Sequence, residues 1–181
     1  LENRKEFQKA IDIVEEGLKQ NEKNIELLFR YGVLLDKSGE KEKCLEKMKK
    51  VLEIDPDYSD ALNYIGYTYA EQGVRLEEAL DLIQKALKLK PDSGYIIDSL
   101  GWVYFQKGLY DKALEALEKA VGLTPKDPTI AEHLGDVYLK KKAYQKSLEM
   151  YRKALALSHP EPEKIEKKIG EVKEVLKKEK K

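Results

Sequence analysis

The side chains most able to do chemistry here are His133, His159 and Cys44, and their spacing does not assemble them into a catalytic set. The two histidines lie 26 residues apart in different segments, and Cys44 is the single cysteine of the 181-residue chain. There is no Cys-x-x-Cys, no His-Glu-x-x-His, no Gly-x-Ser-x-Gly and no glycine loop of the phosphate-binding kind. One cysteine cannot form an intrachain disulfide, so the redox compartment stays open. Glutamates and lysines spaced three or four apart read as solvated helix faces with minor ion pairs. The residues therefore point away from an enzyme, and no metal or organic cofactor is expected.

Composition narrows the partners. Lys and Arg number 34, as do Asp and Glu, which leaves no net charge. A nucleic-acid binder needs positive charge to displace counterions from phosphates, and an anionic membrane surface asks for the same. Neither is expected, and no apolar run approaches the ~18 residues of a bilayer span. The charged fraction of 38% beside 41% hydrophobic residues fits solvated helix faces alternating with a buried stripe. The opening Leu1-Glu2-Asn3-Arg4-Lys5 has neither an initiator methionine nor a signal peptide, so the sequence reads as a fragment. Localisation stays open, since any targeting sequence would lie upstream of Leu1.

What must position these residues is a repeat. Gly32, Gly66, Gly101 and Gly135 are spaced 34, 35 and 34 residues apart. Small residues at Ala10, Cys44, Ala79, Ala113 and Ser147 are spaced 34, 35, 34 and 34. Pro56, Pro91, Pro125 and Pro160 follow at 35, 34 and 35. Three residue classes keeping one period mark a stacked array of identical units. In the unit beginning at Gly94, Ile96, Ile97, Leu100, Val103 and Tyr104 have helical spacing. Gly108 then stops the helix, a second helix carries Ala113, Leu114, Leu117, Ala120 and Val121, and Thr124-Pro125 ends it. No segment longer than a helical turn alternates with period two, so no sheet is expected.

Leu100-Gly101, Tyr104, Ala113, Leu117, Ala120 and Pro125 match in order the tetratricopeptide (TPR) pattern. Ile65-Gly66, Tyr69, Ala79, Ile83, Ala86 and Pro91 match it too, as do Leu134-Gly135, Tyr138, Ser147, Tyr151 and Ala154. Tyr31-Gly32, Leu35, Cys44, Met48, Val51 and Pro56 form the most diverged copy. The chain thus resembles bacterial multi-TPR proteins. The resemblance implies an all-α, right-handed superhelical solenoid of helix-turn-helix repeats with a C-terminal capping helix. Residues 1–24 read as the second helix of a truncated repeat, with Leu1 aligned inside its missing first helix. Full repeats follow at 25–58, 59–93 with a one-residue insertion near Gly73-Val74-Arg75, 94–127 and 128–161. Residues 162–181 read as the cap, with Ile165, Ile169, Val172 and Leu176 as a narrow apolar seam. The fourth copy has Lys141-Lys142 where glycine is usual, so a looser turn is expected there. His159 replaces the expected proline and reads as a turn residue. Cys44 reads as a buried small hydrophobe.

The resemblance also implies function: a scaffold or adaptor that binds a peptide or protein segment in a concave groove lined by first helices. Carried over residue by residue, the groove comprises Phe29, Arg30, Asn63, Tyr64, Tyr67, Tyr95, Asp98, Trp102, Glu132, His133 and Asp136. The aromatics cluster in the middle repeats as binding anchors do, or alternatively pack between repeats as core. Six acids, Glu26, Asp36, Asp60, Asp98, Glu132 and Asp136, face one arginine and one histidine, which suggests a basic or amphipathic partner or ordinary solvated acids. The cationic clamp that TPRs use for chaperone C-terminal carboxylates is missing, because its positions hold Phe29, Val33, Tyr64, Tyr95 and Ser99. An asparagine ladder is absent as well. The rival readings are a structural spacer contacting partners by its ends and a regulatory arm of an enzyme outside these residues. The open face of helix 6–19 suggests end-to-end self-association.

Overall fold

The computed structural model describes the backbone of residues 2–179 and the side chains of residues 6–178. Ten α-helices and no strand occur among the described residues. They run α1 (Glu2–Gln20), α2 (Ile25–Lys37), α3 (Lys41–Ile54), α4 (Ser59–Glu71), α5 (Leu76–Leu89), α6 (Gly94–Gln106), α7 (Tyr110–Leu123), α8 (Pro128–Lys140), α9 (Tyr144–Ala156) and α10 (Pro162–Glu179). The first helices α2, α4, α6 and α8 pair with the second helices α3, α5, α7 and α9, and the pairs stack into an α-solenoid.

Three of the first helices start on short polar side chains. Asn24 accepts the N–H of Leu27, Ser93 that of Ile96, and Asp127 those of Thr129 and Ile130, with Pro128 in the first turn. The hairpins turn on left-handed residues: Gly39, Gly73, Gly108 and, in the last repeat, Lys142 at φ 60°. The expected loosening of that last turn does not occur. Lys142 donates to the Leu139 carbonyl and Ala143 to that of Tyr138, as Gly108 and Leu109 do to Phe105 and Tyr104. Packing of α8 on α9 holds the turn, and the backbone takes the left-handed strain. The inserted residue is absorbed at Arg75, also left-handed, whose guanidinium lies 4.8 Å from the Tyr69 ring centroid.

Packing explains the period. The glycines of the first helices sit against Met48, Ile83, Leu117 and Tyr151, all fully buried or nearly so. A Cβ on Gly32, Gly66, Gly101 or Gly135 would stand 2.6 Å from those side chains. Cys44, Ala79, Ala113 and Ser147 are wholly buried beside them, where anything larger would part the helices. At the C-terminal end, Ile165, Ile169 and Val172 of α10 are buried against Ala131, Leu148, Tyr151 and Ala154. This seam covers a face that would otherwise be apolar and wet, at ~1.5–3 kcal/mol per fully buried side chain before entropy.

The N-terminal segment departs from the alignment. Leu1 lies outside the described residues, but Glu2–Gln20 is one uninterrupted helix, so residues 2–6 do not form the turn that the register calls for. Asn3-Arg4-Lys5-Glu6 contains no glycine or proline to break the helix. Ile11 and Val14 turn inward and are buried, while Ile13 is 73% exposed.

Candidate functional site

The first helices α4, α6 and α8 each present side chains to one side of the stack, and α10 closes the end of that row. Between them lies a cavity of about 520 Å³, walled by Tyr67, Glu71, Trp102, Thr129, Glu132, His133 and Asp136. The turn His159-Pro160-Glu161 and two lysines of α10, Lys164 and Lys168, complete the wall.

An aromatic stack forms one side. Trp102 lies between Phe105, at 4.8 Å between ring centroids, and His133, at 4.1 Å, with nearly parallel planes. Tyr67 leans on His133 at 6.2 Å. Trp102 is half-buried, and its indole N–H has no hydrogen-bond partner among the described residues. His133 is 5% exposed, and its Nδ1 donates to Asp98 Oδ1 at 2.9 Å. Burial opposes protonation of the imidazole, but the charge and hydrogen bond of Asp98, with Asp136 and Glu132 behind, raise its pKa above the ordinary histidine value.

An ion-pair network forms the other side. Glu132, 4% exposed, accepts from Lys168 at 2.6 Å and meets Lys164 at 3.1 Å. Its second oxygen lies 2.9 Å from His159 Nε2, although that ring N–H is not aligned for a hydrogen bond. Burial pushes the Glu132 carboxyl up, but the hydrogen bonds and charges of Lys168 and Lys164 outweigh it and hold the pKa at about 2. Asp136 accepts from Lys168 at 2.7 Å and from the Tyr151 hydroxyl at 2.6 Å. His159, read from sequence as a turn residue, is buried at 5% exposure, and its Nδ1 accepts the N–H of Glu161.

The residues carried over from the repeat pattern separate into groups. Tyr67, Trp102, Glu132, His133 and Asp136 meet at the cavity, with Asp98 held beneath His133. Phe29 and Arg30 lie at the far N-terminal end, where Phe29 leans on Tyr58 at 5.2 Å. Tyr64 donates to Asp36 at 2.8 Å, Asn63 is half-buried with an unpartnered carbonyl, and Tyr95 is 59% exposed outside the cavity wall. The six acids do not form an unpaired rim. Glu26 pairs with Arg30, Asp36 with Tyr64, Asp60 with Lys90, Asp98 with His133, and Glu132 and Asp136 with Lys168. The sequence reading missed Lys164 and Lys168, because α10 was read only as an apolar cap. Their four-residue spacing off the seam was the available signal.

The cavity thus combines an aromatic wall with a network of buried charges. No cluster of three metal-ligating side chains occurs among the described residues. No helix among them is long and apolar enough to cross a membrane.

Comparison with known proteins agrees with the geometry. TPR repeat models match residues 25–58, 48–81, 101–142 and 129–165, which together span 25–81 and 101–165. A 78-residue stretch is 36% identical to the "TPR repeat-containing protein PA4667" of Pseudomonas aeruginosa. That stretch is 43% of this chain and only 13% of the relative's length. Among solved structures, the thermophilic TPR protein TTC0263 of Thermus thermophilus superposes with a TM-score of 0.72 at 24% identity, over 92% of this chain and 90% of that one. PilF of Pseudomonas aeruginosa gives 0.68 at 23%, over 86% and 71%. A MamA fragment from Desulfovibrio magneticus gives 0.67 at 22%, over 83% and 85%. These likenesses show a shared right-handed solenoid fold. The chain belongs to the tetratricopeptide-repeat family, whose members mediate protein–protein interactions.

Proposed function

We propose that the chain is a scaffold that holds a segment of a partner protein along the side of the stack formed by α4, α6 and α8. The observation that carries this reading is the cavity at Tyr67, Trp102 and His133, with its aromatic wall. A peptide offers what that wall lacks, an apolar side chain to lie on the ring edges. Exposed Tyr95, on the same helix as Trp102, extends the surface. Because the six acids are paired within the chain, the reading favours an amphipathic segment over a simply basic one. The setting we infer is a larger bacterial assembly, in keeping with the longer Pseudomonas relative.

The test is peptide selection on the folded chain followed by substitution. Trp102→Ala is expected to weaken selected peptides by about 2 kcal/mol, roughly 30-fold, with helix content intact. Substituting Ile13 at the N-terminal end should leave them bound. Peptides that ignore Trp102 and respond to Ile13 would place binding at the ends and support a spacer.

A further inference from the structure

Charge is unevenly shared around the cavity. Its wall holds four carboxylates, Glu71, Glu132, Asp136 and Glu161, and two lysines, Lys164 and Lys168. Both lysines come from α10, and both pair on that side. Lys168 lies 2.6 Å from Glu132 and 2.7 Å from Asp136, and Lys164 lies 3.1 Å from Glu132 and 3.4 Å from Glu161. On the α4 side of the wall, Glu71 stands one turn beyond Tyr67, at the C-terminal end of its helix. Its partner among the described residues is Lys41 of α3 at 3.1 Å, a pair in which both side chains are about half exposed. Such a pair contributes little and exchanges readily. The last turn of a helix also carries the negative end of its dipole, which favours a cation there.

Two rings of the wall feel the same sign of charge. Burial raises the pKa of the Tyr67 phenol, and the charges of Asp98, Glu71, Glu132 and Asp127 raise it further. At His133 burial acts the other way, and Asp98, Asp136 and Glu132 overcome it. The α4 and α6 side of the cavity is thus aromatic, half-buried and negative, where a cation gains from a ring and a carboxylate together. The chain makes a seat of this kind for one of its own side chains. Lys168 Nζ sits between Glu132 and Asp136, 5.6 Å from the Tyr151 ring centroid.

We propose that the cavity seats one basic side chain of the partner segment, a lysine or arginine, with its charge on Glu71 and its stem against Tyr67. The proposal rests on the reading of the cavity as the partner's seat, and it adds the residue that an amphipathic segment must bring. Glu71 exchanges an exposed internal pair for the incoming one, so Lys41 is the competitor.

The test uses the folded chain and two small probes, N-acetyl-arginine methylamide and its citrulline counterpart, which has nearly the same shape and no charge. Trp102 is the single tryptophan, so its fluorescence reports the cavity alone. The arginine probe should change that signal saturably, and the citrulline probe should bind ~10-fold more weakly or not at all. Glu71→Gln should remove most of the preference. Lys41→Ala should strengthen the arginine probe about threefold by releasing Glu71, and should have no effect in the Glu71→Gln background. An arginine probe that leaves Trp102 unchanged, equal binding of the two probes, or a preference that survives Glu71→Gln overturns the proposal. Peptides selected on the chain separate it from the broader reading. Those that weaken with Trp102→Ala should also weaken ~10-fold when their basic residue is replaced by a neutral isostere, citrulline or acetyl-lysine. Peptides that depend on Trp102 and hold without a basic residue overturn the basic anchor and leave the scaffold standing. Peptides that ignore Trp102 overturn both.

Discussion

At the level of single residues, the energetics centre on Glu132. A buried carboxylate that stays ionised must draw its stability from its partners, here Lys168 and Lys164. Its pKa is depressed to about 2 in the fold. Such a group contributes stability above its unfolded pKa of ~4.3, and the contribution is lost as pH falls toward the folded value, on the order of 3 kcal/mol in all. His133 works in the opposite sense. Its raised pKa gives stability that is complete below the unfolded value of ~6.5 and is lost as pH rises through the folded one. Urea unfolding between pH 2 and 9 should therefore show an acid loss that Glu132→Gln removes and an alkaline loss that His133→Gln removes. Acid loss of the same size in Glu132→Gln would assign it to other carboxylates.

At the level of the helix pair, the repeat is a steric rule, and glycines show where it applies. Gly101→Ala would put a methyl 2.6 Å from Leu117, so a cost of ~1–3 kcal/mol is expected from overpacking. Gly170, inside α10, has nothing within reach of an added Cβ, so Gly170→Ala should stabilise by ~0.5–1 kcal/mol. Lys142→Gly should gain ~1 kcal/mol by relieving the left-handed strain of the last hairpin. Thermal unfolding of the three variants checks all three signs. These contrasts also show why the fold was so legible. A period of 34 is a backbone constraint repeated often enough to outvote local divergence, such as Met48 in place of leucine or Lys142 in place of glycine. The site was less legible because its polar half comes from pairings between repeats. Nothing in the spacing of Glu132 and Asp136 announces that Lys164 and Lys168, more than thirty residues on, will close over them. Likewise the repeat pattern sets Trp102 beside Tyr67 and Tyr95, whereas the rings stacked on it are those of Phe105 and His133.

At the scale of the whole molecule, the two ends are unequal, and that inequality governs association. A linear array propagates head to tail only if both ends present complementary apolar surface. Here α1 and α2 leave an apolar groove at one end, whereas α10 seals the other with Ile165, Ile169 and Val172 inward and lysines and glutamates outward. The intact chain should therefore not polymerise. Deleting residues 162–181 changes two things at once. It uncovers Leu148 and Tyr151, and it strips Lys168 from Glu132 and Asp136, leaving buried carboxylates without their cation. Repeat 128–161 should loosen first, with amide exchange in α8 and α9 rising while that in α4 and α5 is retained. The truncated chain now has an open face at each end and should form concentration-dependent chains larger than a dimer in sedimentation. Replacing Lys164 and Lys168 together by Met separates the two causes, because it removes the charges and keeps the seam. That variant should lose stability without gaining the tendency to assemble. If the truncated chain stays monomeric with α8 and α9 as protected as before, the capping role of α10 fails, and the charge network must be holding the last repeat by itself.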